Sequence, residues 1–178
     1  TVMAAHPLAY DQATGFGRVL PVGRLSLPVM ARGTAAATAV GSDVIVMSHG
    51  GRTHALKTKL VARREFTGYW EYLIDEALFT SPAHPHWSGA ALVGMDGKLL
   101  GIGSLFVQEP ADDESEQANM FVPIDLLEPI LEDMVNTGRP ARPVRPWLGM
   151  YATELQDHLF VGGLTEGGPA ARAGVRAR

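Results

Sequence analysis

Ser88 is the residue of this sequence whose surroundings suggest covalent chemistry. It is followed by Gly89, by the small side chains of Ala90 and Ala91, and then by two apolar runs joined by Asp96-Gly97. Asp-Gly between alternating apolar residues is a strong signal for a β-hairpin. A serine hydroxyl becomes a nucleophile when a base removes its proton, a third group orients that base, and backbone N–H groups stabilise the oxyanion. The sequence therefore predicts a candidate nucleophile on a tight turn directly before a hairpin.

Composition limits the class of protein. The chain has 178 residues, enough for one medium domain or for one domain and a portion of another. An apolar content of 46%, with 20 glycines and 12 prolines, indicates a turn-rich chain that can bury a core. The formal charge of -4 argues against a nucleic-acid partner, because phosphate binding requires clustered lysine and arginine. The absence of cysteine excludes disulfides and thiol nucleophiles, and without a long apolar run no transmembrane segment is predicted.

The apolar pattern predicts mostly β-structure over residues 1–107, where short apolar runs alternate with turn-forming residues. Residues 40–47 indicate a turn that leads into a buried strand. Residues 66–79 are rich in aromatic side chains and indicate a long strand or a hairpin. The aromatic residues at its centre are Tyr69, Trp70 and Tyr72. The acidic residues 109–116 lack apolar periodicity and are typical of a solvated loop.

One helix is predicted clearly, from Asp125 to Gly138. Asp125 and Glu128 form a start that resembles a capping box, and Gly138 provides the stop. The proline-rich residues 139–146 follow as a linker, and residues 147–178 form a new unit. The apolar residues that repeat at helical spacing are Leu126, Leu127, Ile130, Leu131, Met134 and Val135.

The sequence resembles the HtrA/DegP-type serine proteases in several segments that occur in the family's order and at similar spacing. Around Ser88 the likeness is to the signature Gly-Asn-Ser-Gly-Gly-Pro-Leu. Residues 27–46 resemble the segment that leads into the second barrel, and residues 119–131 resemble the last strand and the closing helix. Residues 147–150 resemble the entry of a PDZ domain, and residues 168–174 resemble a helix start within it.

The resemblance implies a mostly β fold. We expect a trypsin-like protease β-barrel, mainly the second barrel with the first barrel largely missing, then a closing helix and the start of a PDZ domain. The corresponding boundaries are residues 1–138 for the C-terminal portion of the protease domain, 139–146 for the linker and 147–178 for the start of the PDZ domain.

The resemblance also implies roles for residues near Ser88. Ser88 would be the nucleophile, and the backbone N–H groups of Ser88 and His86 would form the oxyanion hole. The signature is altered here: His86 replaces a glycine, Trp87 replaces the asparagine, and Ala90 and Ala91 replace a glycine and the proline. A glycine at position 86 would allow backbone angles that a histidine resists, so we expect a collapsed or turned oxyanion hole.

The family's catalytic aspartate is absent at the matching position. It lies in a Thr-Asp-Leu-Ala pattern, whose best match is residues 14–17, so Gly15 stands where the aspartate would be. Asp11 is nearby but out of register. The family's histidine precedes that aspartate by a distance that places it upstream of Thr1. Loss of the orienting aspartate of a Ser-His-Asp triad costs on the order of 10⁴ in turnover.

His84 and His86 suggest an alternative, a metal clip that His49 and His54 could join. No carboxylate pattern accompanies them, so loop or turn residues are the favoured interpretation, and we predict neither a metal nor a cofactor.

Two functional hypotheses follow. The first is an HtrA/DegP-like serine endopeptidase of protein quality control, with a degenerate catalytic site, acting on unfolded polypeptide or peptide. The second is a catalytically inactive pseudoprotease that binds peptides or regulates a partner, which Gly15, His86, Ala90 and Ala91 favour. A distant third is a small-molecule-binding barrel, which would enclose a large cavity. The resemblance implies the bacterial cell envelope, typically the periplasm, and assembly into homo-oligomers.

Overall fold

The computed structural model describes residues 2–68, 72–110, 115–143 and 145–177. The chain divides into two compact units, residues 1–141 and residues 142–178. The strands of the first unit are β1 (Ala5–Tyr10), β2 (Gly17–Pro21), β3 (Asp43–Met47), β4 (Leu56–Thr67), β5 (Leu73–Ser81), β6 (Ala91–Gly94), β7 (Leu99–Pro110) and β8 (Ser115–Pro123), and its helix is α1 (Glu128–Asn136). The second unit contains β9 (Met150–Leu155), β10 (His158–Leu164) and the short helix α2 (Pro169–Arg172).

Six strands of the first unit close into an antiparallel barrel in the order β3-β4-β5-β8-β7-β6. Side chains alternate between the inside and the outside of such a barrel. In β3, for example, Val44 and Val46 are fully buried while their neighbours are half-buried. Within the described residues the interior is filled by packed side chains, which does not favour the small-molecule-binding alternative. The largest of them are Phe121, Leu60, Leu78 and Leu92.

The hairpin predicted at Asp96-Gly97 joins β6 to β7. The N–H of Gly94 donates to the carbonyl oxygen of Lys98 at 2.9 Å, which closes the turn. Gly97 has a φ of +80°, a left-handed conformation that glycine adopts without strain. This local prediction is confirmed because the turn sequence itself carries the required geometry.

β1 and β2 form a separate two-stranded antiparallel sheet. Ala9 and Phe16 of this hairpin region share one buried cluster with Phe79 of the barrel and with Ile130 and Met134 of α1. The hairpin and the helix therefore pack together against the barrel. The mostly β fold with a barrel and a closing helix is confirmed.

The helix begins later than predicted. Residues 124–126 form a 3₁₀ turn, and α1 starts at Glu128. The carboxylate of Asp125 accepts the N–H of Ala36 at 2.9 Å, so it ties a distant loop to this turn and makes no capping box. The predicted stop is confirmed, because Gly138 follows the helix with a φ of +77°.

The prediction of a loop over residues 109–116 is wrong at both ends. β7 extends to Pro110 and β8 begins at Ser115, with Glu109 paired to Glu116, because long-range pairing overrides the weak local preference of acidic residues. β4 and β5 pair antiparallel, as the predicted hairpin requires, and the N–H of Gly68 donates to the carbonyl of Tyr72 at 3.0 Å. Tyr69 and Trp70 lie outside the described residues.

The second unit contains the antiparallel pair β9 and β10. Gln156 and Asp157 at its turn have φ values of 51° and 60°, as a two-residue hairpin loop requires. Gly168 precedes α2 and Pro169 occupies its first turn, where a proline costs least. Among the described residues of the whole chain, every helix is too short or too polar to cross a membrane.

Candidate active site

The loop of residues 82–90, between β5 and β6, carries Ser88 and is called the Ser88 loop below. Ser88 is exposed at its tip, and Gly89 has a φ of +71°. Two hydrogen bonds fasten the loop to β7: the N–H of Gly89 donates to the carbonyl of Gly103 at 2.9 Å, and the N–H of Gly103 donates to the carbonyl of Ala90 at 2.7 Å. The fold therefore presents Ser88 to solvent on a tight turn held by the barrel.

Gly103 allows the Ser88 loop to lie against β7. A Cβ atom at this position would overlap the carbonyl group of Trp87 and would lie 3.3 Å from the ring of Phe121. Sequence reasoning missed this residue, although a glycine within an apolar strand is a signal for close backbone approach.

His84 organises the first half of the Ser88 loop and is only 3% exposed. Its backbone N–H donates to Oδ1 of Asn119 at 2.6 Å, and its Nε2 lies 2.6 Å from the carbonyl oxygen of His54. Its Nδ1 accepts the N–H of His86 at 3.0 Å. Because both ring nitrogens are engaged, His84 cannot accept the proton of Ser88 in this arrangement.

His86 also lies in the Ser88 loop, and its backbone N–H is donated to Nδ1 of His84. Its own ring is exposed and lies against that of His49, with 4.4 Å between the ring centroids. In this conformation the N–H that the family resemblance assigns to the oxyanion hole already has an acceptor.

The four histidines considered for a metal clip do come together. The centroid of the His49 ring is 6.5 Å from that of His54, and the centroid of the His84 ring is 6.0 Å from that of His86. Among the described residues, however, no group of three or more histidines, cysteines or carboxylates is arranged to hold a metal ion.

Gly15 lies in the turn between β1 and β2, with a φ of +75°. Asp11 organises this turn: its Oδ2 accepts the hydroxyl of Thr14 at 2.6 Å, and its main-chain carbonyl accepts the N–H of Gly15 at 2.8 Å. Asp11 is 4% exposed, so its carboxylate is engaged in building the turn.

The ring of Tyr72 covers Gly15. A Cβ atom at residue 15 would overlap the Cε1 edge of that ring. The hydroxyl of Tyr72 is hydrogen-bonded to Oγ of Ser104, the residue that follows Gly103 in β7. Gly15 and the Ser88 loop are thus both connected to the same short segment of β7, one through Tyr72 and the other directly. Sequence reasoning treated Tyr72 as a strand aromatic and gave no signal of this contact.

Two aspartates outside the Ser88 loop have lowered pKa values. Hydrogen bonds from Lys57 and Lys59 lower the pKa of Asp43 from 3.8 to about 2. The pKa of Asp96, in the β6–β7 turn, is lowered mainly by the hydrogen bond from the N–H of Lys98.

Comparison with solved structures decides the fold. The structure described as "HtrA-type protease AlgW with decapeptide" aligns with 98% of this chain and 56% of its own, at a TM-score of 0.62 and 20% identity. This is the HtrA-type protease fold. A second structure, "HtrA-type protease AlgW with tripeptide", aligns with 97% of this chain and 60% of its own, at a TM-score of 0.59 and 21% identity. No protein-family model matches the chain.

Curated relatives agree with the HtrA-type fold. The serine protease Do-like HtrA of Bacillus subtilis is 26% identical over 110 positions, covering 53% of this chain and 24% of the relative. The serine endoprotease DegS of Haemophilus influenzae is 26% identical over 89 positions, covering 50% and 26%. The serine protease PepD of Mycobacterium tuberculosis is 26% identical over 192 positions, covering 98% and 39%. The chain thus spans about a quarter to two fifths of the length of these relatives, and the sequence resemblance to HtrA-type serine proteases is confirmed.

Proposed function

We propose that this chain belongs to an HtrA-type protein of quality control that binds unfolded polypeptide but hydrolyses it poorly, because its catalytic site is degenerate. The observation that carries the proposal is the ring of Tyr72 over Gly15. A carboxylate that orients the catalytic base cannot be supplied from residue 15 while Tyr72 occupies that space. The resemblance assigns the orienting aspartate to this position, and its loss costs on the order of 10⁴ in turnover.

The second change affects the N–H groups that would stabilise the oxyanion. The N–H of His86 is donated to Nδ1 of His84, so one of the two expected donors is engaged elsewhere. Removing one oxyanion-hole donor costs roughly 10²–10³ in turnover. Both changes act on the chemical step and leave the fold in place, which favours binding over efficient cleavage.

Support for peptide as the ligand comes from the solved relatives, because AlgW has a decapeptide in one structure and a tripeptide in another. We infer that residues 147–178 are the start of a PDZ domain, which follows the protease segment of residues 1–138 and the linker of residues 139–146. The β9–β10 hairpin and α2 support this assignment. PDZ domains take up an extended peptide as an added strand.

A working serine endopeptidase is the second candidate. The exposure of Ser88 and the φ of +71° at Gly89 favour it, because both suit a nucleophile on a sharp turn. By family resemblance, its base would come from sequence preceding Thr1.

A fluorophosphonate probe separates the two candidates when used on the full-length protein. In a working site, Oγ of Ser88 attacks the phosphorus, its proton passes to the base, and fluoride leaves. Ser88→Ala is the control. We expect slow or absent labelling together with binding of fluorescein-labelled casein, measured by fluorescence anisotropy and equal for both forms. Rapid labelling that Ser88→Ala abolishes would establish the endopeptidase, and failure to bind casein would contradict the binding role.

We further propose a location in the bacterial cell envelope and a homo-oligomeric state. All three curated relatives described above come from bacteria. Fractionation of the native host tests the location, and light scattering on the purified full-length protein tests the oligomer.

A further inference from the structure

We propose that His84 is a positioning residue that sets the conformation of the Ser88 loop through its protonation state. As a neutral ring it holds the N–H of His86, and when the ring takes up a second proton it must release that N–H. The functional meaning of the release rests on the proposed function, in which His86 is an oxyanion-hole donor. The structural claim can be tested without it.

Three contacts fix the position of His84 from different regions of the first unit. Asn119 of β8 accepts its backbone N–H, the carbonyl of His54 lies at its Nε2, and the N–H of His86 lies at its Nδ1. The residue is 3% exposed, so water does not readily replace a lost partner. A buried imidazole with both nitrogens paired has one orientation and one tautomer that satisfy its neighbours.

The partners determine that tautomer. A backbone N–H can only donate, so Nδ1 facing His86 must carry a lone pair. A carbonyl oxygen can only accept, so Nε2 facing His54 must carry the proton. His84 is therefore the neutral Nε2–H form whenever both contacts are present.

Protonation of the ring removes the contact with His86. The added proton on Nδ1 would face the proton of the His86 N–H, which places two donors opposite each other. The contact to the carbonyl of His54 survives, because Nε2 remains a donor in the cation. The second half of the loop must then move while His84 stays attached to the barrel.

The groups near His84 are other histidines and one neutral amide. His86 of its own loop and His54 of the 3₁₀ helix at residues 51–54 are titratable and lie beside it, and His49 lies against His86. From β8 the partner is the neutral amide of Asn119. Among the residues that the structure describes, no carboxylate is paired with the ring, so a positive charge on His84 would have no counter-charge to hold the loop in place.

Nuclear magnetic resonance on the full-length protein tests the proposal directly. At neutral pH we expect the His84 ring to show a protonated Nε2 and an unprotonated Nδ1. We expect the His86 amide to be protected from hydrogen exchange. As the ring signals of His84 titrate, that protection, corrected for intrinsic exchange, falls by about tenfold, the loss expected for one hydrogen bond. A proton on Nδ1 at neutral pH, or unchanged protection through the titration, would overturn the proposal.

Two variants separate positioning from simple packing. His84→Asn places an acceptor, Oδ1, near the site of Nδ1 but cannot titrate, so the His86 amide should stay protected at every pH. His84→Gln keeps a donor near the site of Nε2 but has no acceptor near His86, so protection should be absent even at neutral pH. Equal protection in both variants contradicts the mechanism.

One control checks that each variant is folded, and a second checks that the pH effect comes from His84. Amide signals of Leu78 and Phe121, both buried in the barrel, report whether each variant is folded. His6→Asn removes an exposed histidine of β1 and should leave the His86 profile unchanged. None of these measurements requires activity or bound peptide, whereas casein binding tests the proposed function, so each can fail independently of the other.

Discussion

The ring of Tyr72 lies where a side chain on Gly15 would have to project. Its edge would overlap any Cβ atom at residue 15, and its hydroxyl is hydrogen-bonded to Ser104 of β7. Residue 15, which the sequence resemblance matches to the family's aspartate, is therefore covered by a residue from the β4–β5 hairpin. An aspartate introduced at residue 15 could not place its carboxylate in the space that the ring of Tyr72 fills.

Gly15→Asp should lower the free energy of unfolding without producing hydrolytic activity. The new side chain meets both a left-handed backbone, with a φ of +75°, and the ring of Tyr72. Gly41→Asp is the matched control, because Gly41 also has a positive φ, +90°, but nothing lies within 4 Å of its Cβ position. We expect Gly15→Asp to be less stable than Gly41→Asp by roughly 1–3 kcal/mol, the usual cost of overpacking, in urea denaturation.

A double-mutant cycle identifies Tyr72 as the cause. In the background of Tyr72→Ala, the cost of Gly15→Asp should shrink, because the overlapping ring is gone. If Gly15→Asp costs as much stability in the Tyr72→Ala background, the backbone conformation of residue 15 accounts for the whole loss.

Gly103→Ala should displace the Ser88 loop. The added methyl group overlaps the carbonyl of Trp87, and both groups are held by the backbone, so relief requires movement of the loop away from β7. We expect a loss of roughly 1–3 kcal/mol in urea denaturation. Gly17→Ala is the control, since its nearest neighbours lie 3.9 Å from the Cβ position. Equal stability of the two variants would argue against the close approach.

Asn119→Ala should destabilise the protein by loosening His84. Asn119 is fully buried, and its Oδ1 is the acceptor of the His84 N–H at 2.6 Å. A buried donor left without a partner costs roughly 1–3 kcal/mol. Gln117→Ala, on an exposed position of the same strand β8, should change the free energy of unfolding by about 0.5 kcal/mol or less.

The interaction of Asp43 with Lys57 and Lys59 should contribute stability that depends on pH. Their nitrogen atoms lie 2.7 and 2.9 Å from the carboxylate oxygens, and the pKa of Asp43 falls from 3.8 to about 2. A lowered carboxyl pKa gives stability that is present above pH 3.8 and is lost as the pH falls toward about 2. Added salt should weaken it, because the groups are exposed.

Asp43→Asn tests this interaction. The free energy of unfolding of the variant should be lower than that of the natural sequence at neutral pH, and the two should converge near pH 2. A difference that persists at that acidic pH, or that is insensitive to salt, would show that the aspartate stabilises β3 in another way.

Local features of the fold followed from the sequence because their cause lies within a few residues. Asp96-Gly97 carries its own turn geometry, and the apolar run of residues 44–47 indicates the buried strand β3. Local reasoning failed where a distant partner intervened. Asp125 accepts the N–H of Ala36 and so leaves the helix start at Glu128.

The sequence by itself was enough to place Ser88 on a tight turn before a hairpin and to show that residue 15 carries no side chain. Only the tertiary structure decided that Tyr72 fills the space above Gly15 and that His84 holds the N–H of His86. The physical reason is that Tyr72 meets Gly15 and Ser104, and that His84 meets His54 and Asn119, residues distant in sequence. No single stretch of sequence encodes such a meeting, because barrel closure brings the segments together.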